Sequence, residues 1–251
     1  MADKIFDINN FVIDRIVRGV ALSQKDDSVL FSINQIQNAS LNCASESADA
    51  VDALGTPIAT FYRAKSAEFS AENALFDMNL MSTQLGTKKK VAGKDGVAKI
   101  TVPAMESFTV EAGGTYKLKH APKAAPSEIY ALNGDSTFGT KYTMATAVSP
   151  TQFSVNGQTI ALPEGIATGT EMFVMYEYET ENAVEVVNSA TEFPVGCKFI
   201  MEVLGCDVCD QTNLVYAYVI FNNFKLSPDF DWSIATDGTH PFSGKAQQDL
   251  N

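Results

Sequence analysis

The chain has 251 residues, of which 45% are hydrophobic and only 19% charged, with a formal net charge of −12. That is enough apolar material to fill a core without disulfide staples, and the charge has the wrong sign for a tight nucleic-acid binder, whose affinity comes from Lys and Arg displacing counterions from phosphate. The longest apolar run, Leu214–Phe221, is strand-length and falls short of the roughly 18 residues a spanning helix needs, and the acidic start MADKIFDINNFVID lacks the basic segment and apolar block of a signal peptide, so cytoplasmic synthesis without membrane insertion is expected.

Taken in order, the first 35 residues hold short apolar runs at Ile5–Ile8, Phe11–Ile16 and Val29–Ile33, read as short strands or an arm. Residues 36–48 are small and polar, a turn is expected over Val51–Pro57, and Ile58–Arg63 reads as a short strand. The segment Ser70–Gly86 is the one stretch with a helical period. Ala74, Met78, Met81 and Leu85, with Leu75 beside them, form one stripe, and Asp77, Asn79, Ser82 and Gln84 the opposite polar face. Ser70 suits the N-cap, Glu72 the positive end of the dipole, and Gly86 the left-handed C-terminal position.

Directly after it, Lys88, Lys89, Lys90, Lys94 and Lys99 crowd one short span around Asp95-Gly96, a hairpin signal. Such a tip is either a solvated, charged edge or a contact arm for an acidic neighbour, which an acidic chain supplies as another copy of itself. Residues 105–180 are dense in turn signals, among them Gly113-Gly114, Asn133-Gly134, Phe138-Gly139 and Asn156-Gly157, with strands expected at Thr115–Leu118, Glu128–Leu132, Gln152–Val155, Thr159–Leu162 and Glu171–Tyr178. That rhythm points to an antiparallel sandwich or barrel. The strongest strand pair is Gly196–Leu204 with Leu214–Asn222; the second has no plainly polar face, so both of its faces are expected to be covered, one by the core and one by the helix or another subunit.

Catalytic patterns are missing. His120 and His240 are read as loop residues; no Gly-x-Ser-x-Gly elbow or phosphate loop occurs, and the acidic residues near the C-terminal end lack a calcium-loop register. Cys206-x-x-Cys209, with Cys197 near it, is half of a zinc pattern without its other half, and Cys43 stands apart. The chain is therefore expected to be no enzyme and to hold no metal or cofactor, with its thiols reduced.

The stretch from Ala48 to Gly86 with the lysine-rich span after it, then NSATEFPVGCKFIMEVLG and NLVYAYVIFNNFKLSPDFDWSIATDGTHPF, resembles the structural proteins of tailed bacteriophages, most closely the major tail tube proteins. The resemblance implies a mainly β fold, an antiparallel β-sandwich or barrel of tail-tube type with one flanking α-helix over residues 71–85. It implies a core from residues 1–104 and 181–251, with 105–180 as an inserted β-rich module, and a long hairpin over Thr87–Ile100 whose lysines reach the adjacent ring. It further implies a virion protein of the tail whose partners are other copies of itself, in stacked hexameric rings, and other tail proteins, with DNA passing through unbound during ejection. A decoration, neck or capsid-associated protein, or a β-sandwich binding module, are the competing expectations.

Overall fold

The structure is a computed structural model and describes residues 10–208 and 210–248; the run Ile5–Ile8 and Cys209 lie outside the described residues. The chain divides into two compact units, residues 1–89 with 186–251, and residues 90–185.

In chain order the first unit contributes β1 (Phe11–Ser23), β2 (Val29–Ile33), β3 (Ile36–Val51), β4 (Pro57–Asn73) and α1 (Met78–Leu85). The second unit holds β5 (Lys90–Val91), β6 (Ile100–Thr109), β7 (Thr115–Lys117), β8 (Glu128–Leu132), β9 (Phe138–Met144), β10 (Gln152–Asn156), β11 (Thr159–Ala161), β12 (Glu171–Thr180) and β13 (Val184–Glu185). The chain then returns to the first with β14 (Cys197–Asp207), β15 (Asp210–Leu226) and β16 (His240–Ala246). The expectation of a mainly β protein with one helix holds.

The first unit is one sheet in the order β2-β1-β14-β15-β16-β4-β3. Its curl follows from its phenylalanines. β14 and β4 are three places apart, which would put them roughly 14 Å apart in a flat sheet, yet the rings of Phe199 and Phe69 lie 5.6 Å apart. Phe31 of β2 also reaches Phe199, at 6.2 Å, and Phe221, Phe224 and Phe242 complete a buried aromatic cluster inside the curve. Rolling the sheet into a half-barrel lets one face bury all of these rings at once. Cys197, at one end of β14, points its thiol into this core, donating to the Phe224 carbonyl at 3.3 Å, and burial pushes its pKa up to about 11. Cys206 is buried near the other end of the same strand, and Cys43 is exposed on β3.

The helix differs from the sequence expectation at its start. Ser70–Asn73 belong to β4, pairing with both β3 and β16, because Phe69, Ala71 and Asn73 point inward in a period of two while Ser70 faces out. Their amides are committed to the sheet, so Ser70 caps nothing. Asp77 is the N-cap, its carboxylate accepting from the amides of Asn79 and Leu80 at 2.8 and 2.7 Å, while Gly86 closes the helix in the left-handed conformation as expected. The predicted faces hold only in part: Leu85 is buried as expected, but Ser82 and Gln84 of the polar face are buried with it and with Leu80, whereas Ala74, Leu75 and Met78 of the apolar stripe are exposed. The polar Gln84 can be buried because the backbone and an imidazole across the core satisfy its amide. Its Nε2 donates to the Pro241 carbonyl at 3.2 Å, and its Oε1 meets His240 Nε2 at 2.8 Å. His240 is thus a fully buried strand residue, not the loop residue expected, while His120 is exposed and stacks on Tyr178 at 3.9 Å.

The second unit has the order β6-β12-β8-β9-β10-β11-β7, antiparallel except for β9 with β10. β6 and β7 stand at opposite ends of that order, about 29 Å apart if flat, yet Phe108 and Tyr116 stack at 3.7 Å with planes 4° apart. The sheet has rolled until its ends meet, around a core that includes Leu118, Ile129, Phe153, Ile160 and Met172. β5 and β13 form a separate two-stranded pair.

Where the rolled ends meet lies a buried carboxylate, Glu106, 3% exposed. It accepts from the hydroxyls of Tyr176 and Tyr116, the latter at 2.7 Å, and from the Lys119 amide at 3.1 Å. Burial works against its charge, but the hydrogen bonds from Tyr176, Tyr116 and Lys119 outweigh it and hold the carboxyl below its ordinary range. Burial and the same carboxylate push both tyrosines up to about 12. A depressed carboxyl pKa gives stability that is complete above the unfolded value near 4.3 and is lost as pH falls through the folded one. Glu106→Gln is expected to destabilise the protein by about 1–3 kcal/mol at pH 7 and to flatten the acid limb of its stability curve; urea titrations from pH 3 to 7 check this, and an unchanged acid limb would refute it.

Candidate assembly surface

The surface that the fold leaves unused is the far half of the β3–β4 hairpin. Over Cys43–Val51 and Pro57–Ser66 nearly every residue is exposed on both faces. The two strands nevertheless pair in register, with Ser47 opposite Tyr62, Ala48 opposite Phe61 and Ala50 opposite Ala59. The small residues of β3 give the large ones of β4 flat ground to stand on. Ile58 is 71% exposed, Phe61 55% and Tyr62 74%, so apolar side chains point away from both faces of a two-stranded ribbon. An isolated ribbon of that kind is marginal in water.

Local devices hold the ribbon in place. At the tip, the Asp52 carboxylate accepts from the amides of Leu54 and Thr56, each at 2.8 Å, and Gly55 takes a positive φ of 84°. The amides of Thr56 and Leu54 hold the Asp52 carboxyl below its ordinary value. Midway, Ala64 adopts φ 44° as the extra residue of a bulge between the pairs Ser45–Lys65 and Glu46–Arg63, which twists the ribbon locally.

A second uncovered surface lies on the convex side of the first unit. Val215, Ala217, Val219 and Phe221 turn toward the core, whereas Tyr216, Tyr218 and Ile220 are each more than half exposed. Tyr218 donates to Glu202 at 3.0 Å, and Glu202 is paired with Arg18 at 2.7 Å, a polar row across three strands. The helix does not cover this face, since Leu80 anchors it among the core residues on the other side.

The lysines do not form the expected long hairpin. Residues 87–99 contain one tight turn with Asp95-Gly96 at its centre, both at positive φ, and a two-residue pairing of β5 with β13. The arm-length hairpin is β3–β4, which precedes the helix. Lys88 and Lys89 end the first segment of the first unit, while Lys90, Lys94 and Lys99 belong to the second unit. Lys90 is paired with Glu185 at 3.0 Å and Lys99 lies 3.9 Å from Glu181, and Lys94 is exposed at the turn. Among the described residues no ion pair engages Lys88, Lys89 or Lys94. No helix among the described residues is long and apolar enough to cross a membrane.

These features are those of a subunit with surface to share: a projecting ribbon, an uncovered sheet face and an acidic body. No curated protein matches the chain. The model of the YomU/Tube protein family matches residues 11–247, from the first residue of β1 to just beyond the end of β16, and so takes in both units. The chain therefore belongs to the YomU/Tube protein family, a family of phage tail tube-like proteins.

Proposed function

We propose that the chain is the major tail tube subunit, closing into hexameric rings that stack into a hollow conduit through which DNA leaves the virion. Membership of the family makes it a structural component of a phage tail, and the family is not one of enzymes. The observation that carries the finer reading is the β3–β4 ribbon, whose exposed apolar residues need a partner and whose length lets it reach one. A ring requires heterologous contacts between unlike surfaces of identical copies, and the ribbon and the tyrosine face of β15 are two such unlike surfaces. A net charge of −12 suits a conduit that must pass DNA without holding it. Residues 105–180 in this reading are a module inserted into the tail-tube core, and the other partners are further tail proteins.

Purified protein viewed by negative-stain microscopy is expected to show stacked rings or tubes; discrete particles under all conditions would favour a decoration or neck protein instead. The lysines enter as a second contact, with Lys88, Lys89 and Lys94 meeting acid on a neighbouring copy while Lys90 and Lys99 keep their internal partners. Replacing Lys88, Lys89 and Lys94 together by Glu is expected to shorten or abolish tubes while circular dichroism and unfolding stay as in the parent. Normal tube length in that variant would remove the lysines from the interface without touching the ribbon.

A further inference from the structure

We propose that His240 is an acid-releasable latch for α1, so that protonating its imidazole frees the N-terminal end of the helix from the half-barrel while the sheet beneath stays folded. The imidazole is fully buried and holds both ends of the helix from one strand. Its Nδ1 accepts from the backbone amide of Asp77, the N-cap, at 3.3 Å, and its Nε2 meets Oε1 of Gln84, the next-to-last residue of the helix, at 2.8 Å. Because the Asp77 amide can only donate, Nδ1 carries no proton and the ring is the neutral tautomer with its hydrogen on Nε2. Phe76 stacks on one side of the ring at 4.9 Å, with Trp232 behind it at 4.2 Å, and Phe230 lies 5.8 Å away.

A second proton has one place to go, Nδ1, where it would face the Asp77 N–H donor to donor. The bond to Gln84 survives protonation and the bond to Asp77 does not, so release starts at the N-terminal turn. Burial lowers the pKa of His240, against a smaller opposite effect of the Asp77 carboxylate. A lowered histidine pKa means that the released form binds more protons, so the docked state loses stability as pH falls below about 6.5. The charged groups around the ring are acidic. Asp77 on the helix cap is engaged by the Asn79 and Leu80 amides, and Glu72 on β4 by Thr239 and Asn38. Asp229 and Asp231 flank Phe230. Among the described residues neither ring nitrogen meets a basic group.

Hydrogen exchange on the full chain at pH 7.5 and pH 5.0, corrected for the intrinsic pH dependence of exchange, tests the latch. Protection of the Asp77–Leu80 amides is expected to drop by about tenfold or more at the lower pH, with the amides of β14 and β15 unchanged, and His240→Gln is expected to remove the pH response. Constant protection at Asp77–Leu80, loss in step with β14 and β15, or the same response in the variant would each overturn it. If the variant does not fold, nitrogen NMR of the imidazole in the unaltered protein decides: Nδ1 gaining its proton while the helix signals stay unchanged also overturns it.

Discussion

Replacing Phe61 and Tyr62 together by Asp is expected to abolish tube formation outright and to leave the isolated subunit folded, with its stability changed by no more than about 0.5 kcal/mol. Neighbouring residues on a strand point to opposite faces, so the pair strikes both sides of the ribbon at once. Neither ring contributes to a buried cluster within the chain, and both are more than half exposed, which is why the subunit should tolerate the change. A whole aromatic side chain buries on the order of 150–250 Å²; with Phe61 55% and Tyr62 74% exposed in the subunit, an interface would gain about 2–5 kcal/mol from each at about 25 cal/mol per Å², and each replacement also strands a carboxylate away from water. A ring multiplies that loss by the number of its contacts. Tubes of normal length in negative stain would show that the ribbon is not an assembly contact, and a shifted unfolding midpoint would show that the rings matter to the fold itself.

The ribbon was also the hardest element to read in the sequence, for the reason that makes it interesting. β2 and β8 are legible to the residue, Val29–Ile33 and Glu128–Leu132, because apolar side chains of a half-buried strand are bounded by turn residues. β3 runs IQNASLNCASESADAV with neither face buried, so it has no alternation to detect; only the turn at Asp52–Gly55 announces it. β9 was hidden by Phe138-Gly139, which looks like a turn but lies inside a strand. The helix was displaced because Ser70–Asn73 fit a period of 3.6 as well as one of two, and the choice is made by pairing with β3 on one side and, more than 160 residues away, with β16 on the other. The burial of Gln84 and His240 was illegible for a related cause, since each is satisfied by the other across 156 residues. Local pattern thus revealed the elements whose environment is local, and missed those defined by a distant partner or, in β3, by the lack of one within the chain.

The aromatic core allows a sharper test of how the first unit holds its curve. Phe199 is fully buried and touches the rings of Phe31, Phe69, Phe221, Phe224 and Phe242, so Phe199→Ala is expected to cost about 3–5 kcal/mol in urea unfolding, the lost transfer energy plus the cavity. The size of the hole depends on whether neighbours can move in, and β1 supplies one that is poised to do so. Gly19 faces this ring closely enough that an added Cβ would lie 3.1 Å from the Phe199 Cζ and 2.8 Å from the Ile36 Cδ1. Gly19→Ala alone should therefore destabilise by crowding, about 1–3 kcal/mol. In the double variant the new methyl no longer meets the ring, so part of the crowding disappears and the two costs should fall short of their sum by at least about 0.5 kcal/mol. Strict additivity would mean that Ile36, not Phe199, limits the space at Gly19.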